Sequence, residues 1–253
     1  MSSDKSVTLV LPFYNEELNV ERVIREALSV LPSISADFEI VAVDDGSTDG
    51  TPRLLAALAA ADRRVRPVSH AANLGYGAAL ASGLRAARGG RVFLCDGDGQ
   101  FGLGDLAAFA RKLEEYPVVL GYRIDRQDHW QRRLNSRIYN LAAGLLLRAG
   151  VKDINCAMKA FRASALSGVR LRTTGLIVNL DLLSQLFAAG LPFTQLGVAH
   201  RPRLAGAPTG GRPLVILKAM GEFVRLAALE LFRRARGPRP CAGAQEGGDS
   251  GRC

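Results

Sequence analysis

The chain has 253 residues, 48% of them hydrophobic and 23% charged, and it carries a formal net charge of +9 at pH 7. This composition excludes a disordered or fibrous chain and is sufficient for one large hydrophobic core. The pI near 9.9 favours an anionic partner, which leaves nucleic acid, a membrane surface and a phosphorylated substrate open. The cysteines, at positions 95, 156, 241 and 253, show neither zinc-site spacing nor a disulfide framework.

The first residues show no targeting pattern. The segment from Met1 to Ser6 is polar, and the apolar run from Val7 to Leu11 is too short for a signal peptide or a membrane span. We therefore expect a cytoplasmic protein whose thiols are reduced.

Apolar runs typical of strands alternate with helical patterns in the first half of the chain. The runs are VTLVL (7–11), FEIVAV (38–43), RPVSH (66–70) and RVFLC (91–95). Thr51-Pro52, after the second run, is typical of an N-cap followed by the first helical residue. This order predicts an α/β fold with a doubly wound, mostly parallel sheet and flanking helices, whose ligands bind at the carboxyl ends of the strands.

Acidic residues follow three of these runs. They occur in PFYNEE (12–17), DDGSTDGT (44–51) and DGDGQ (96–100). Side chains two residues apart in an extended segment point to the same side, so Asp96 and Asp98 can converge. Paired carboxylates together with phosphate oxygens suit a hard cation, Mg²⁺ or Mn²⁺. DGDG alone also fits a simple turn, but its place after an apolar strand favours the metal.

Three other kinds of acidic or glycine-rich site fit less well. DDGSTDG lacks the closing glutamate and the preceding helix of an EF-hand. A receiver domain also gathers acids at strand ends, but it is shorter and does not account for the second half of the chain. Neither GxxxxGK[ST] nor a strand-linked GxGxxG occurs, which argues against P-loop and dinucleotide-binding proteins.

Five motifs occur together in an order and spacing that resemble one enzyme family. They are LPFYNEE, VDDGSTDGT, NLGYGAAL, DGDGQF and VLGYR. Over roughly residues 7–205 the chain resembles family-two glycosyltransferases with the GT-A fold, most closely their dolichol-phosphate mannose synthase and polyprenol-phosphate glycosyltransferase branch. The resemblance implies transfer of a sugar from a UDP- or GDP-linked donor to a polyprenyl phosphate.

The resemblance also implies roles for individual residues. The positions implied for the nucleotide pocket are Pro12, Tyr14, Glu16, Val43 and Asp45. Asp96, Gly97 and Asp98 would bind the metal and the diphosphate, with Gln100 helping to coordinate the metal. Arg123, in GYR, would face the phosphates of the donor or acceptor.

The second half resembles the lipid-phosphate enzymes in two segments, DINCAMKAFR (153–162) and HRPRLAG (200–206). The second segment places Arg203 near the diphosphate, where an arginine fork suits phosphate oxygens. Asp181 lies where the family usually has an acid, and three roles stay open: orienting the acceptor, orienting an arginine, or a structural salt bridge. Thr209 and Gln195 replace a lysine and a glutamate common in the family, which puts the sugar and acceptor in doubt more than the fold.

The segment PLVILKAMGEFVRLAALELFRRAR (213–236) predicts an amphipathic helix. Its charged stripe of Lys218, Glu222, Arg225 and Arg233 argues against a transmembrane span. The helix either lies in an anionic membrane interface or packs against the catalytic domain or a second subunit. The Gly- and Pro-rich residues beyond it predict a disordered tail.

These patterns predict a catalytic domain over 1–212, the helix over 213–236 and the tail over 237–253. We expect an inverting, metal-dependent transferase of cell-envelope glycan biosynthesis, peripheral at the inner face of the membrane. One alternative is a soluble or glycan hydroxyl acceptor, which requires a carboxylate base, Asp181 being the first candidate. The other is a non-catalytic nucleotide- or nucleic-acid-binding module. An aromatic content of 6%, without an interleaved basic platform, argues against nucleic acid as a partner.

Overall fold

The computed structural model describes residues 5–124, 130–175, 177–202 and 213–235. In these residues the strands are β1 (Val7–Phe13), β2 (Phe38–Asp44), β3 (Val65–Ser69), β4 (Arg91–Leu94), β5 (Val118–Ile124), β6 (Lys159–Arg162) and β7 (Phe193–Ala199). They form one sheet in the order β3-β2-β1-β4-β6-β5-β7. Strand β6 is antiparallel to β4 and β5, and the other neighbours are parallel.

Helices cover both faces of this sheet. They are α1 (Glu17–Val30), α2 (Thr51–Ala61), α3 (Tyr76–Ala86), α4 (Leu106–Lys112), α5 (Trp130–Leu147), α6 (Val178–Ala188) and α7 (Pro213–Ala235). Apolar residues of α1, α2 and α4 pack on one face, and those of α3, α5, α6 and α7 pack on the other. Strands β1 and β4 are thus covered on both sides, which explains their continuous apolar runs. The predicted α/β class with a mostly parallel sheet is confirmed.

The start of α2 differs from the prediction. Gly50, not Thr51, occupies the N-cap position. The Thr51 hydroxyl instead accepts a hydrogen bond from the Glu16 amide at 2.9 Å. A threonine that suits a cap by its local sequence therefore joins the loop after β1 to the loop after β2.

Helix α7 packs on the sheet domain through one of its faces. Leu226 is 1% exposed on this face. Arg172 bridges the buried carboxylates of Asp181 in α6, at 2.5 Å, and Glu230 in α7, at 3.2 Å. None of the helices in the described ranges combines the length and hydropathy that crossing a bilayer requires. The predicted tail, 237–253, lies outside those ranges.

Candidate active site

Two aspartates stand at the carboxyl end of β4. The Oδ1 atom of Asp96 is buried without a hydrogen-bond partner, which is costly for a carboxylate unless a cation joins it. Burial, and then the charge of Asp98, raise the pKa of Asp96 from 3.8 to about 7, while the Tyr76 hydroxyl opposes the rise. Oδ1 of Asp98 accepts the Gln100 amide at 3.0 Å. The pair therefore has the charge and the unsatisfied oxygen of a cation site.

Gly97 sets the position of this pair. A Cβ atom there would lie 2.4 Å from the Phe13 ring and 2.7 Å from the Pro12 carbonyl oxygen. The Gly97 amide donates to that same carbonyl at 3.2 Å. Only glycine allows the aspartate loop to lie this close to the end of β1.

A lysine lies beneath the aspartates. Lys159 of β6 is 0% exposed, and its Nζ donates to Asn179 Oδ1 at 2.9 Å and to the Cys156 carbonyl. Burial lowers the pKa of Lys159, whereas Cys156, Asp153 and Asp96 act in the opposite direction. The site thus has a lysine amine that is fully buried inside the protein.

Arg123, predicted to face phosphate, is held by a carboxylate. Its Nε donates to Asp153 Oδ2 at 2.7 Å and its Nη2 donates to Asp153 Oδ1 at 3.0 Å. The side chains are 10% and 6% exposed. The two-pronged ion pair fixes the plane of the guanidinium at the end of β5.

The segment after β7 reaches the aspartate loop. Phe101 forms a β-bridge with His200, and their rings meet edge to face at 5.1 Å. The Arg201 amide donates to the Gln100 carbonyl at 2.8 Å, and Gln100 Nε2 donates to the Arg201 carbonyl at 3.1 Å. The segment HRPRLAG (200–206) therefore begins beside the loop that carries Asp96 and Asp98. Arg203 lies outside the described residues.

A cleft of about 520 Å³ opens at the ends of β1, β2 and β3. Its lining includes Tyr14, Asp44, Ser47, Thr48, His70 and Asn73. Asn15 shapes one side, since its backbone has a φ of 52° and its Oδ1 accepts the Thr48 amide at 2.8 Å. Tyr14, predicted for the nucleotide pocket, therefore lines this cleft.

The other residues predicted for the nucleotide pocket do not line this cleft; they are Pro12, Glu16, Val43 and Asp45. The side chain of Val43 is 0% exposed and belongs to the hydrophobic core. Both oxygens of Asp45 are used inside the protein: Oδ1 binds His70 Nδ1 at 2.7 Å and Oδ2 accepts the Gly75 amide at 2.8 Å. Glu16 is buried and accepts Asn19 Nδ2 at 2.6 Å.

Of the roles left open for Asp181, the structure shows the ion pair. This carboxylate is 0% exposed and accepts Arg172 Nε at 2.8 Å and Gln185 Nε2 at 2.9 Å. Its hydrogen-bonding capacity is taken up by groups that hold α6 and α7 together. A catalytic role for Asp181 stays a prediction, and the contacts seen here are those of a structural ion pair.

The donor set at β4 fits a cation that the protein shares with its substrate. Within the described ranges, no group of three or more His, Cys, Asp or Glu side chains is arranged to hold a metal ion. Mg²⁺ is commonly held by one or two carboxylates, with water and substrate phosphates filling the remaining positions. Asp96 and Asp98 supply that partial set, and Gln100 lies next to it.

Sequence reasoning missed four polar residues around the site. Tyr76 lies within NLGYGAAL and Lys159 within DINCAMKAFR, so both motifs were noticed without a role for these side chains. Asn179 and His70 have no signal in the sequence, because each acquires its position only through contacts with distant elements.

The cleft and the paired aspartates lie at the carboxyl ends of the strands, which is where open α/β sheets commonly bind their ligands. Residues 8–170 match the family described as glycosyl transferase family 2, and the chain belongs to this family. The predicted family is confirmed.

Two relatives indicate the branch of the family. The chain is 33% identical over 205 residues to an undecaprenyl-phosphate 4-deoxy-4-formamido-L-arabinose transferase of Pseudomonas aeruginosa (strain LESB58), covering 79% of this chain and 59% of that protein. It is 34% identical over 174 residues to glycosyltransferase AglD of Haloferax volcanii, covering 65% and 28%. Both relatives are glycosyltransferases by name, and the first is named for undecaprenyl phosphate, a polyprenyl phosphate. The chain spans less than two thirds of the length of these relatives.

Solved structures of lower identity share the fold. Glucosyl-3-phosphoglycerate synthase from Mycobacterium tuberculosis, in complex with phosphoglyceric acid, has a TM-score of 0.63 at 22% identity over 95% of this chain and 83% of that chain. The same synthase with Mn²⁺, UDP-glucose and phosphoglyceric acid has a TM-score of 0.61 at 21% identity, with the same coverage. The expected GT-A type fold is confirmed.

Proposed function

We propose that this chain transfers a sugar from a nucleotide-diphosphate sugar to a polyprenyl phosphate, with inversion at the anomeric carbon and with Mg²⁺ or Mn²⁺. The observation that carries the proposal is the buried, unpartnered oxygen of Asp96 beside Asp98 at the end of β4. When bound there, a divalent cation would neutralise the charge that develops on the departing diphosphate. Solved structures of the synthase described above contain Mn²⁺ with UDP-glucose, which supports this metal class.

The cleft beside the aspartates would hold the nucleoside. Asp44, rather than the predicted Asp45, is the acid that lines it. Asp44 is held in place by the Ser47 amide, which donates to its Oδ1 at 3.1 Å. We assign Asp44 and Tyr14 to the nucleoside and leave Asp45 the task of fixing His70 and the turn before α3.

The engagement of Asp181 favours a phosphate acceptor over a hydroxyl acceptor. A hydroxyl nucleophile needs a base, and the predicted candidate is committed to Arg172. A phosphate monoester, whose second pKa is about 6, is already anionic near neutral pH and needs none. The undecaprenyl-phosphate transferases among the relatives carry such an acceptor in their name.

The outer face of α7 suits an acceptor that resides in a membrane. Its exposed apolar residues are Leu217, Met220, Val224, Leu229, Leu231 and Phe232. Its exposed charged residues are Lys218, Arg225 and Arg233, whereas the acid Glu230 is buried. An exposed apolar stripe with basic residues beside it binds anionic lipid surfaces both by burying apolar area and by electrostatic attraction. We therefore propose a peripheral attachment through α7, at the inner face of the membrane.

Transfer of radiolabelled sugar tests the proposal. The protein is incubated with a panel of UDP- and GDP-sugars, Mg²⁺ or Mn²⁺, and a polyprenyl phosphate, and the label in the organic phase is counted. Asp98→Asn is expected to reduce transfer by about hundredfold or more. Asp37→Asn changes an exposed aspartate of the surface and serves as the matched control with wild-type transfer.

Two results would contradict the proposal. Label found only in water-soluble products would show that the acceptor is a hydroxyl or soluble compound and not a lipid phosphate. Transfer that persists in EDTA and in Asp98→Asn would remove the metal from the mechanism.

A further inference from the structure

Lys159 is a fully buried lysine that the chemistry proposed above does not use. It lies in β6 opposite Leu94 of β4 and Leu120 of β5. Side chains two apart on a strand share a face, so Lys159 lies on the same face of the sheet as Asp96. That face is the one covered by α3 and α6. The sheet register therefore places the Lys159 side chain on the same side of the sheet as Asp96.

The surroundings of Lys159 hold it in one place. Asn179, at the start of α6, accepts one of its N–H groups at 2.9 Å, and the Cys156 carbonyl accepts another. Asn179 also interacts with the Tyr76 hydroxyl, which in turn interacts with Asp96. Residues from α3, β4, β6 and α6 thus form one polar cluster with the Lys159 amine at its base.

A fixed positive charge acts oppositely on the two components of a metal–diphosphate complex. It repels a divalent cation that binds alone to Asp96 and Asp98, and it attracts a diphosphate that binds at the same point. Burying a charged lysine costs desolvation free energy. We therefore expect a charge at this position to have a role. The charge of Arg123, at the end of β5, is balanced by its ion pair with Asp153.

We propose that Lys159 is protonated and couples metal binding to nucleotide binding, so that the free protein binds the cation weakly and the nucleoside diphosphate brings the cation with it. The inference rests on the proposed function only in assuming that Asp96 and Asp98 hold a divalent cation for a diphosphate. Lys159 is a positioning residue, acting through the field at Asp96 rather than by contact with the reacting atoms.

Binding measurements on the full chain test the coupling without any transfer reaction. Mn²⁺ alone is titrated by electron paramagnetic resonance of the free ion, and UDP or GDP is titrated by calorimetry with and without Mn²⁺. In Lys159→Met we expect Mn²⁺ alone to bind about fivefold more tightly, and the nucleotide in the presence of Mn²⁺ to bind about fivefold more weakly. Lys159→Arg keeps the charge and is expected to retain the wild-type coupling.

Two further variants control for damage to the fold. Asn179→Asp neutralises the field of Lys159 without changing the volume of the cluster, and it is expected to shift both affinities in the same directions as Lys159→Met. It carries the test if Lys159→Met does not fold. Arg162→Met removes a positive charge from the far end of β6, where its guanidinium donates to the carbonyls of Leu113 and Glu114. It is expected to leave both affinities unchanged.

Opposite shifts of the two affinities support the coupling role, because a collapsed site weakens both ligands together. Parallel weakening of both, or no change in either, overturns it. Wild-type protein that binds no Mn²⁺ even with nucleotide would instead contradict the proposed metal site itself. The two failures are therefore distinguishable.

Discussion

Replacing Asp181 by asparagine separates a structural from a catalytic role. Asp181 is 0% exposed and receives hydrogen bonds from Arg172 and Gln185. Removing one partner of a buried ion pair typically costs about 3–5 kcal/mol. The Arg172 side chain is 36% exposed and keeps its contact with Glu230, so water and Glu230 recover part of the loss. We therefore expect Asp181→Asn to lower the free energy of unfolding by about 2–3 kcal/mol.

Urea unfolding and thermal melting measure this loss. At about 2–4 °C per kcal/mol for a chain of this size, the melting temperature should fall by roughly 4–12 °C. Sugar transfer, assayed well below the lower melting temperature, should remain near the wild-type rate. The matched control is Asp62→Asn, which breaks the exposed pair with Arg64 at 2.6 Å and should cost under about 0.5 kcal/mol.

The reverse pattern would refute this reasoning. A variant with wild-type stability and lost transfer would make Asp181 a catalytic base or an acceptor ligand. The ion pair of Asp181 would then no longer argue for a phosphate acceptor, and a hydroxyl acceptor would be favoured.

Three further outcomes follow from the site and from α7. Gly97→Ala should lower the melting temperature and the affinity for nucleotide, because its Cβ would lie 2.4 Å from the Phe13 ring. The pKa of Asp96 is raised to about 7, so the free protein loses stability as the pH rises from about 4 to about 7. Mg²⁺ with UDP should therefore raise the melting temperature more at pH 8 than at pH 6, since protons no longer compete for the carboxylate. The double change Leu217→Glu and Val224→Glu should reduce cosedimentation with anionic vesicles while leaving the melting temperature near wild type, since both side chains are exposed.

Each outcome has its own control. Gly104→Ala should be neutral, because nothing lies within 4 Å of its Cβ. Asp96→Asn should abolish the difference between pH 6 and pH 8, and a difference that persists would place the titrating group elsewhere. Leu18→Glu changes an exposed leucine of α1 and should leave vesicle binding intact; equal loss in both proteins would point to nonspecific charge rather than to the α7 face.

The first four strands and the aspartate pair were predictable because their signals are local. The eight residues RVFLCDGD (91–98) indicate both where a buried strand ends and which chemistry follows it. The helix at 213–235 was predictable for the same reason, since the helical spacing of its apolar residues is visible within one continuous segment.

The assignments of Asp45 and Asp181 needed tertiary information. Asp44 and Asp45 are adjacent in sequence, and only the contacts of His70 and Gly75 show which carboxylate is used up inside the protein. The partner of Asp181 is Arg172, nine residues away in an irregular segment. Strand β6, a short antiparallel segment of KAFR, has no periodicity that separates it from a loop.

Strand β6 also affects how the chain can be synthesised and divided. Strand β4 pairs with β1 on one side and with β6 on the other, and α4, β5 and α5 are translated between β4 and β6. Until β6 emerges from the ribosome, the apolar strand β4 presents unpaired backbone groups that can recruit another chain. Fragments that end before Lys159 should therefore aggregate when they are produced alone. We therefore expect the short strand that carries Lys159 also to limit misassembly of the nascent protein.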